Sequence, residues 1–260
     1  MPAPEIEWRE GQPFSPRFGD VYRSHAGAWA QACGVYLRGS GLPEGWQGQG
    51  SEFVLLENGF GLGLNFLATW AAWRADPQRC ACLHYVGIEA YPGTPHDLIA
   101  SARSAADSHT PGQGDAWLEA LPSLAARLAA RWRGLQAGRQ TWCLEGEAGG
   151  PQLRLSLAVC DAAQALAQWP ADWGPAQAVY LDGFNPALNP DMWSPALMQA
   201  VAARCAPGAR VASYAVAGEV RRALRAAGFT VRKRPGLPPK WHRLEAVFNL
   251  PVAGALLSAP

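Results

Sequence analysis

Residues 51–67 read SEFVLLENGFGLGLNFL. A short apolar run, 51–57, ends in Glu57 and passes into a turn that carries Gly59, Gly61 and Gly63. Apolar residues at helical spacing follow from Asn65 to Arg74. An apolar run of this length bounded by turn residues predicts a buried strand. Glycines in the turn permit positive φ and let the backbone approach a ligand closely. Strand, glycine loop and helix together predict the opening unit of an α/β fold, with a turn that serves either the fold alone or a ligand. The spacing is not the dinucleotide fingerprint G-x-G-x-x-G. Counted from Gly59 the sixth position is Leu64, and from Gly61 it is Phe66. The pattern is E-x-G-x-G-x-G.

Outward from this unit the rhythm repeats. CLHYVGIE (82–89) predicts a second buried strand, reached through a helix, which favours parallel pairing. LRLSLAVC, AQAVYLD, ARVASYAV and FTVRKRP predict further strands, separated by the helical stretches DAAQALAQW, SPALMQAVAARC and AGEVRRALRAAG. RLEAVFNL closes the series after a short Pro-rich loop. Alternation of this kind predicts an α/β fold with an open, doubly wound, mostly parallel sheet. The last loop predicts a hairpin and one antiparallel strand. The segment DAWLEALPSLAARLAARWRGL fits the rhythm poorly and predicts a helical insertion over about 92–140. The expected organisation is an N-terminal extension (1–50) packed on the core, a main domain (51–250) and a tail (251–260).

Composition narrows the function classes. With 260 residues and 49% hydrophobic content the chain can bury a sizeable core. Lys+Arg is 22 and Asp+Glu 21, so any nucleic-acid contact must rest on a local basic patch. Such a patch stands near the end: Arg221, Arg222, Arg225, Arg232, Lys233, Arg234, Lys240 and Arg243 face only Glu219 and Glu245. The six cysteines form no C-x-x-C pair, and the five histidines have no ligand spacing, so no metal is expected. Reduced thiols in a cytoplasmic protein are the expectation. The N-terminus MPAPEIEWRE lacks the apolar run of a signal peptide. No stretch reaches the ~20 apolar residues of a membrane helix.

Four carboxylates end successive strands: Glu57, Glu89, Asp161 and Asp182. An acidic residue ahead of the glycine loop repels a pyrophosphate and suits a ligand with a cationic group. S-adenosylmethionine carries an ammonium and a sulfonium. Glu89 is placed to accept from ribose hydroxyls. Asp161 is placed to accept from an adenine amino group, or it caps the helix that follows. The cofactor residues so read are Glu57, Gly59, Phe60, Gly61, Gly63, Asn65, Glu89 and Asp161.

Three motifs, ENGFGLGLNFL, DGFNPALNPDMW and AGEVRRALRAAGF, closely resemble the methyltransferase half of the bacterial bifunctional tRNA 5-methylaminomethyl-2-thiouridine biosynthesis protein. FGDVYRS and VYLRGSGLP look like its N-terminal elements, so the resemblance runs from about Phe18 to Phe248. It implies a Rossmann-like class I methyltransferase. The implied reaction carries a methyl group from S-adenosylmethionine to the amine of 5-aminomethyl-(2-thio)uridine at the tRNA wobble position. Lacking a second dinucleotide fingerprint, the chain looks like the methyltransferase alone, with a separate flavin-dependent oxidase supplying the amine. Asp182 is the expected catalytic carboxylate. Gly183, Phe184, Asn185, Pro186, Asn189, Met192, Trp193 and Lys240 are the expected substrate residues. The sequence departs from the family at Leu188, where a lysine is usual, and at Trp241, where an arginine is usual. Two other readings stand beside this one: an enzyme acting on a small-molecule amine, such as an aminopropyltransferase-like relative, and a non-catalytic RNA-binding module.

Overall fold

The computed structural model describes residues 6–23, 27–48, 52–109, 115–146, 150–237 and 241–249. The chain opens with a small meander, β1 (Glu7–Arg9), β2 (Gln12–Ser15) and β3 (Asp20–Val21). Helix α1 (Ala28–Gln31) continues through a π-helical turn to Leu37. Strand β4 (Glu52–Asn58), helix α2 (Leu64–Ala75) and strand β5 (Cys82–Ile88) follow. Then come α3 (Pro95–Asp107), α4 (Asp115–Leu118), α5 (Leu121–Trp132), β6 (Gly138–Glu145) and β7 (Gln152–Val159). The chain ends α6 (Ala162–Ala167), β8 (Ala176–Leu181), α7 (Pro195–Ala202), β9 (Cys205–Ser213), α8 (Gly218–Ala226), β10 (Phe229–Pro235) and β11 (His242–Phe248).

Eight strands form the main sheet in the order β10-β11-β9-β8-β4-β5-β7-β6. Strands β9, β8, β4, β5 and β7 run parallel. Strand β11 is inserted between β9 and β10 and is antiparallel to both, as the closing hairpin led us to expect. One expectation needs correction. Strand β6 lies antiparallel on β7 at the opposite edge, so a second antiparallel strand is present. Its sequence, GRQTWCLE, is largely polar and buries only Leu144, because an edge strand packs on one side only. No apolar run announces it.

Alternation along β4 sends Phe53 and Leu55 into one core and Val54 and Leu56 into the other. The first core is closed by α2, α3, α5 and the α1–Leu37 segment; the second by α6, α7 and α8. Helix α2 is buried from Asn65 to Trp73, which explains why it is apolar on every side. Burial of an aromatic side chain stabilises by about 1.5–3 kcal/mol, and Trp29, Trp46, Trp70 and Phe66 are all fully buried. Most of the described tryptophans are thus core residues, with Trp241 the clear exception at 86% exposed. No helix among the described residues is long and apolar enough to cross a membrane.

Because five strands run parallel, their carboxyl ends share one edge of the sheet. That edge is where side chains leaving β4, β5, β7, β8 and β9 can meet.

Candidate active site

The site begins at the join of β4 and β8. The Asp182 backbone N–H donates to the Asn58 carbonyl, 3.0 Å away, extending the parallel ladder one residue past β8. The chain then turns sharply, and the Gly183 N–H donates back to Asp182 Oδ1 at 2.8 Å. On its other oxygen, Oδ2, Asp182 accepts from Asn65 Nδ2 at 2.8 Å. Asn65 stands in the first turn of α2, directly after the glycine loop. The loop that precedes α2 and the loop that follows β8 are therefore stitched together through side chains.

Glu89, just beyond β5, shapes the glycine loop. Its Oε2 accepts from the Gly61 N–H at 2.7 Å, and its Oε1 accepts from the Tyr91 N–H at 2.8 Å. Burial raises its pKa, and those backbone donors oppose the rise. Each carboxylate oxygen has further lone-pair capacity, so both can still accept from a diol. Asp161 caps α6, with Oδ1 accepting from the Ala163 and Gln164 N–H groups. It is exposed and still lines the cleft, so capping and ligand contact coexist in one side chain.

These groups surround a cavity of about 670 Å³ at the carboxyl edge of the sheet. Of the expected cofactor residues, Gly59, Phe60, Gly61, Asn65, Glu89 and Asp161 line it. The Phe60 ring itself turns into the core and stacks on Trp132 at 5.5 Å. Gly63 does not line the cavity; its positive φ of 76° sets the entry to α2. Glu57 does not line it either. Glu57 is fully buried, accepting from Tyr85 Oη at 2.6 Å and from Asn65 Nδ2 at 2.8 Å. Burial drives its pKa well above the usual carboxylate range, the charge of Asp182 adds to the rise, and the two donors oppose it.

Of the expected substrate residues, Asp182, Gly183, Phe184, Asn189 and Met192 line the cavity. Asn185, Pro186 and Trp193 support it from behind. Asn185 Oδ1 accepts from the Ala187 N–H at 3.0 Å, and the Asn185 carbonyl accepts from the Leu188 and Asn189 N–H groups. Pro186 is buried. The Trp193 indole N–H donates to the Phe184 carbonyl at 2.9 Å, and its ring meets Tyr214 edge-on at 6.1 Å. Lys240 lies outside the described residues. Leu188 is 48% exposed on the loop surface.

The structure adds residues that the reading of motifs did not assign. Phe18, Tyr22, Arg23, Tyr91 and Asp191 also line the cavity. The N-terminal meander reaches over the 183–189 loop. The Asn185 N–H donates to Asp20 Oδ2 at 2.8 Å, and Phe18 stacks on Phe184 at 4.6 Å. Tyr22 meets Phe184 edge-on at 5.1 Å, and Arg17 lies over the Tyr91 ring at 4.2 Å. The FGDVYRS stretch held the signal, a cluster of aromatics and charge, but nothing local says that it lands on a loop 165 residues away. Tyr36 approaches from the first core. Burial raises its pKa far above the ordinary value, and Asp182 contributes to that rise.

The arrangement suits a two-part ligand set. One end of the cavity has a glycine loop and two carboxylates for a nucleoside with hydroxyl and amino groups. The other end has Asp182 within an aromatic wall, suited to a cationic amine attached to a planar ring. Cys160 lines the same cavity, but burial and the neighbouring Asp161 raise its pKa, so it stays a thiol at neutral pH. Among the described residues no cluster of three metal-ligating side chains occurs.

Comparison with known proteins bears on this cavity. A family model described as S-adenosyl-L-methionine-dependent methyltransferase matches residues 120–249. The tRNA 5-methylaminomethyl-2-thiouridine biosynthesis bifunctional protein MnmC of Cupriavidus necator is 45% identical over 248 residues, covering 95% of this chain and 35% of that protein. The protein of the same name from Paracidovorax citrulli is 46% identical over 245 residues, covering 94% of this chain and 35% of that protein. The chain therefore spans 35% of the length of each of these relatives. In three dimensions it is similar to the crystal structure of MNMC2 from Aquifex aeolicus, with a TM-score of 0.66, 19% identity, and coverage of 97% of this chain and 72% of that one. That likeness shows the same fold, a class I arrangement with a mostly parallel sheet and an antiparallel hairpin. The chain belongs to the S-adenosyl-L-methionine-dependent methyltransferase family that the model describes, and it is homologous to the methyltransferase part of the MnmC proteins.

Proposed function

We propose that this protein methylates the amine of 5-aminomethyl-(2-thio)uridine at the wobble position of tRNA, giving 5-methylaminomethyl-(2-thio)uridine. One observation carries the reading. Asp182 is held where the glycine loop meets the aromatic-walled 183–193 loop, in a chain 45% identical to a protein named for this modification. S-adenosylmethionine, when bound, supplies an electrophilic methyl group on a sulfonium. Gly59, Gly61, Asn65, Glu89 and Asp161 are the residues that would hold it, since all five line the cavity and offer close backbone approach or acceptors.

The protein's own groups do the rest. An alkyl ammonium has no lone pair, so it must lose a proton before it can attack. The Asp182 carboxylate attracts the cation, orients it and accepts that proton. The Gly183 and Asn65 donors fix the carboxylate plane, so little reorganisation is left for the reaction. Phe184, with Phe18 and Tyr22 behind it, offers a wall against which an unstacked base can rest. Phosphate contact falls to the basic C-terminal segment, where Arg222, Arg225, Arg232, Lys233 and Arg234 are exposed. The relatives are named as bifunctional, and a flavin-dependent oxidase activity would supply the amine. A tRNA-modifying role places the protein in the cytoplasm.

The direct test is mass spectrometry of wobble uridine after tRNA bearing the aminomethyl group is incubated with protein and S-adenosylmethionine. A mass gain of one methyl group on that nucleoside supports the proposal. No gain there, with methyl transfer to a free amine instead, replaces it with the small-molecule reading.

A further inference from the structure

Glu57 is the one strand-end carboxylate that touches neither the cavity nor solvent. Burying a carboxyl group is costly, so its contacts call for a reason. It lies on β4 between Tyr85 of β5 and Asn65 of α2, and it accepts a hydrogen bond from each, at 2.6 and 2.8 Å. The same Asn65 nitrogen donates to Asp182 Oδ2, also at 2.8 Å. An asparagine amide nitrogen has two hydrogens, and here each goes to a carboxyl group.

We propose that Glu57 is a positioning residue for Asp182 and acts through the Asn65 side-chain amide. The inference rests on the reading of Asp182 as the carboxylate that meets the amine. Glu57 Oε1 accepts from Asn65 Nδ2 and so carries no proton, and any proton the buried group holds sits on Oε2, which faces Tyr85 Oη. The oxygen facing Asn65 can only accept. Glu57 therefore forbids the flipped amide, in which Asn65 would turn its own oxygen inward. With the NH₂ group pinned from below, its second hydrogen points at Asp182. Asp182 is then held on Oδ2 by Asn65 and on Oδ1 by the Gly183 N–H. Tyr85 completes the chain by fixing Glu57 from the far side. Thr69 anchors the backbone of the same turn, its hydroxyl donating to the Asn65 carbonyl at 2.8 Å. The acid at the head of the glycine loop thus serves the acceptor carboxylate, two residues removed through space.

The test is a double-mutant cycle on the intact protein, with kcat and the dissociation constant for S-adenosylmethionine measured for each variant. Glu57→Met removes the acceptor at nearly constant length. It is expected to lower kcat at least about tenfold while the cofactor dissociation constant changes less than about threefold. Asn65→Leu is expected to lower kcat as well, and the double variant should be no slower than the slower single variant, because both changes cut one chain. Glu57→Gln keeps one oxygen for Asn65 and should recover most of the lost kcat. Losses that multiply in the double variant overturn the inference, as does a Glu57→Met defect confined to cofactor affinity. Should Glu57→Met fail to fold, the pair Glu57→Met with Tyr85→Phe removes the hydroxyl left without an acceptor. Side-chain amide exchange by NMR on the wild-type protein is independent of turnover. Both Asn65 Nδ2 protons should exchange slowly, and exchange at the solvent rate would overturn the shared amide. Asp182→Ala run in parallel separates the two ideas. If it retains full turnover, the reading of Asp182 falls; if it is inactive and the cycle is additive, only the role of Glu57 falls.

Discussion

Gly59 and Asp182 touch backbone to backbone: a Cβ on Gly59 would stand 2.6 Å from the Asp182 carbonyl oxygen and 2.9 Å from its carbonyl carbon. The glycine loop is usually discussed as a cradle for a nucleotide. Here its first glycine also lets β4 and β8 deliver their two loops to one point. The same close approach sets the position of Asp182, the carboxylate proposed to meet the amine.

Gly59→Ala tests this relationship. Gly59 has φ of 89°, a region that L side chains rarely adopt, and its missing Cβ would collide with main chain that has no rotamer to move. We expect a loss of stability of about 1–3 kcal/mol, read as a lower urea midpoint. Displacement of Asp182 should lower turnover beyond what the lost stability explains. A variant with unchanged midpoint and turnover would show that the two backbones can separate freely.

Asp182→Ala and Asp182→Asn should fold and bind S-adenosylmethionine as the wild type does. Turnover should fall by about 10²–10⁴-fold, the usual contribution of a positioned general base. Asparagine keeps the shape and one of the two acceptor oxygens, those facing Gly183 and Asn65, but cannot take the proton or counter the cation. Both variants should therefore fail together. Near-normal turnover of Asp182→Asn, measured by labelled methyl transfer, would reduce Asp182 to a turn former.

The fold was legible where sequence and tertiary demands agree. Residues 51–67 show strand, glycine turn and helix in unbroken order, and the structure has β4, the loop and α2 there. Asp182 was legible as a strand end because β8 is short, apolar and followed by prolines. Strand β6 was not, since an edge strand with one packed side carries no apolar run. The cavity wall made by Phe18 and Tyr22 was not legible either, because a contact between residues so far apart in the chain leaves no local spacing. Glu57 shows a third limit. Its place at the end of the strand suggests ligand contact, yet Tyr85 and Asn65 close over it, and only the neighbours from β5 and α2 reveal that.

His84 gives a pH prediction with a definite sign. It lies in β5, fully buried, and Arg154 donates to its Nδ1 at 2.9 Å. The proton of the neutral ring is therefore on Nε2, which donates to Ser156 Oγ at 2.9 Å. Burial first, then the nearby Arg154 charge, lowers its pKa from 6.5 to about 3. The folded state resists a proton that the unfolded state accepts, so this stability is present above pH 6.5 and is lost as pH falls toward 3. The loss is at most about 1.4 kcal/mol per pH unit. Urea unfolding at several pH values should give a shallower acid loss for His84→Gln than for the wild type. Parallel curves for the two proteins would contradict the assignment.

The proposed tRNA contact gives a salt prediction that rests on the basic edge strand. Strand β10 pairs with β11 so that Arg234 stands opposite Arg243, and β11 pairs with β9 so that Leu244 stands opposite Ser213. Ser213 ends β9 at the cavity edge of the sheet, so the cationic end of β10 lies on that same edge. Arg232 and Lys233 are exposed there, whereas Arg234 and Arg243 both meet Glu245. Neutralising a phosphate releases counterions, and each contact contributes about 0.7–0.9 to the slope of log affinity against log salt. Arg232→Gln combined with Lys233→Gln should therefore flatten that slope by about 1.4–1.8. Affinity for S-adenosylmethionine should not move, because neither side chain lines the cavity. Filter binding of tRNA across a salt series measures the slope, and an unchanged slope would move the phosphate path to the α8 arginines, Arg222 and Arg225.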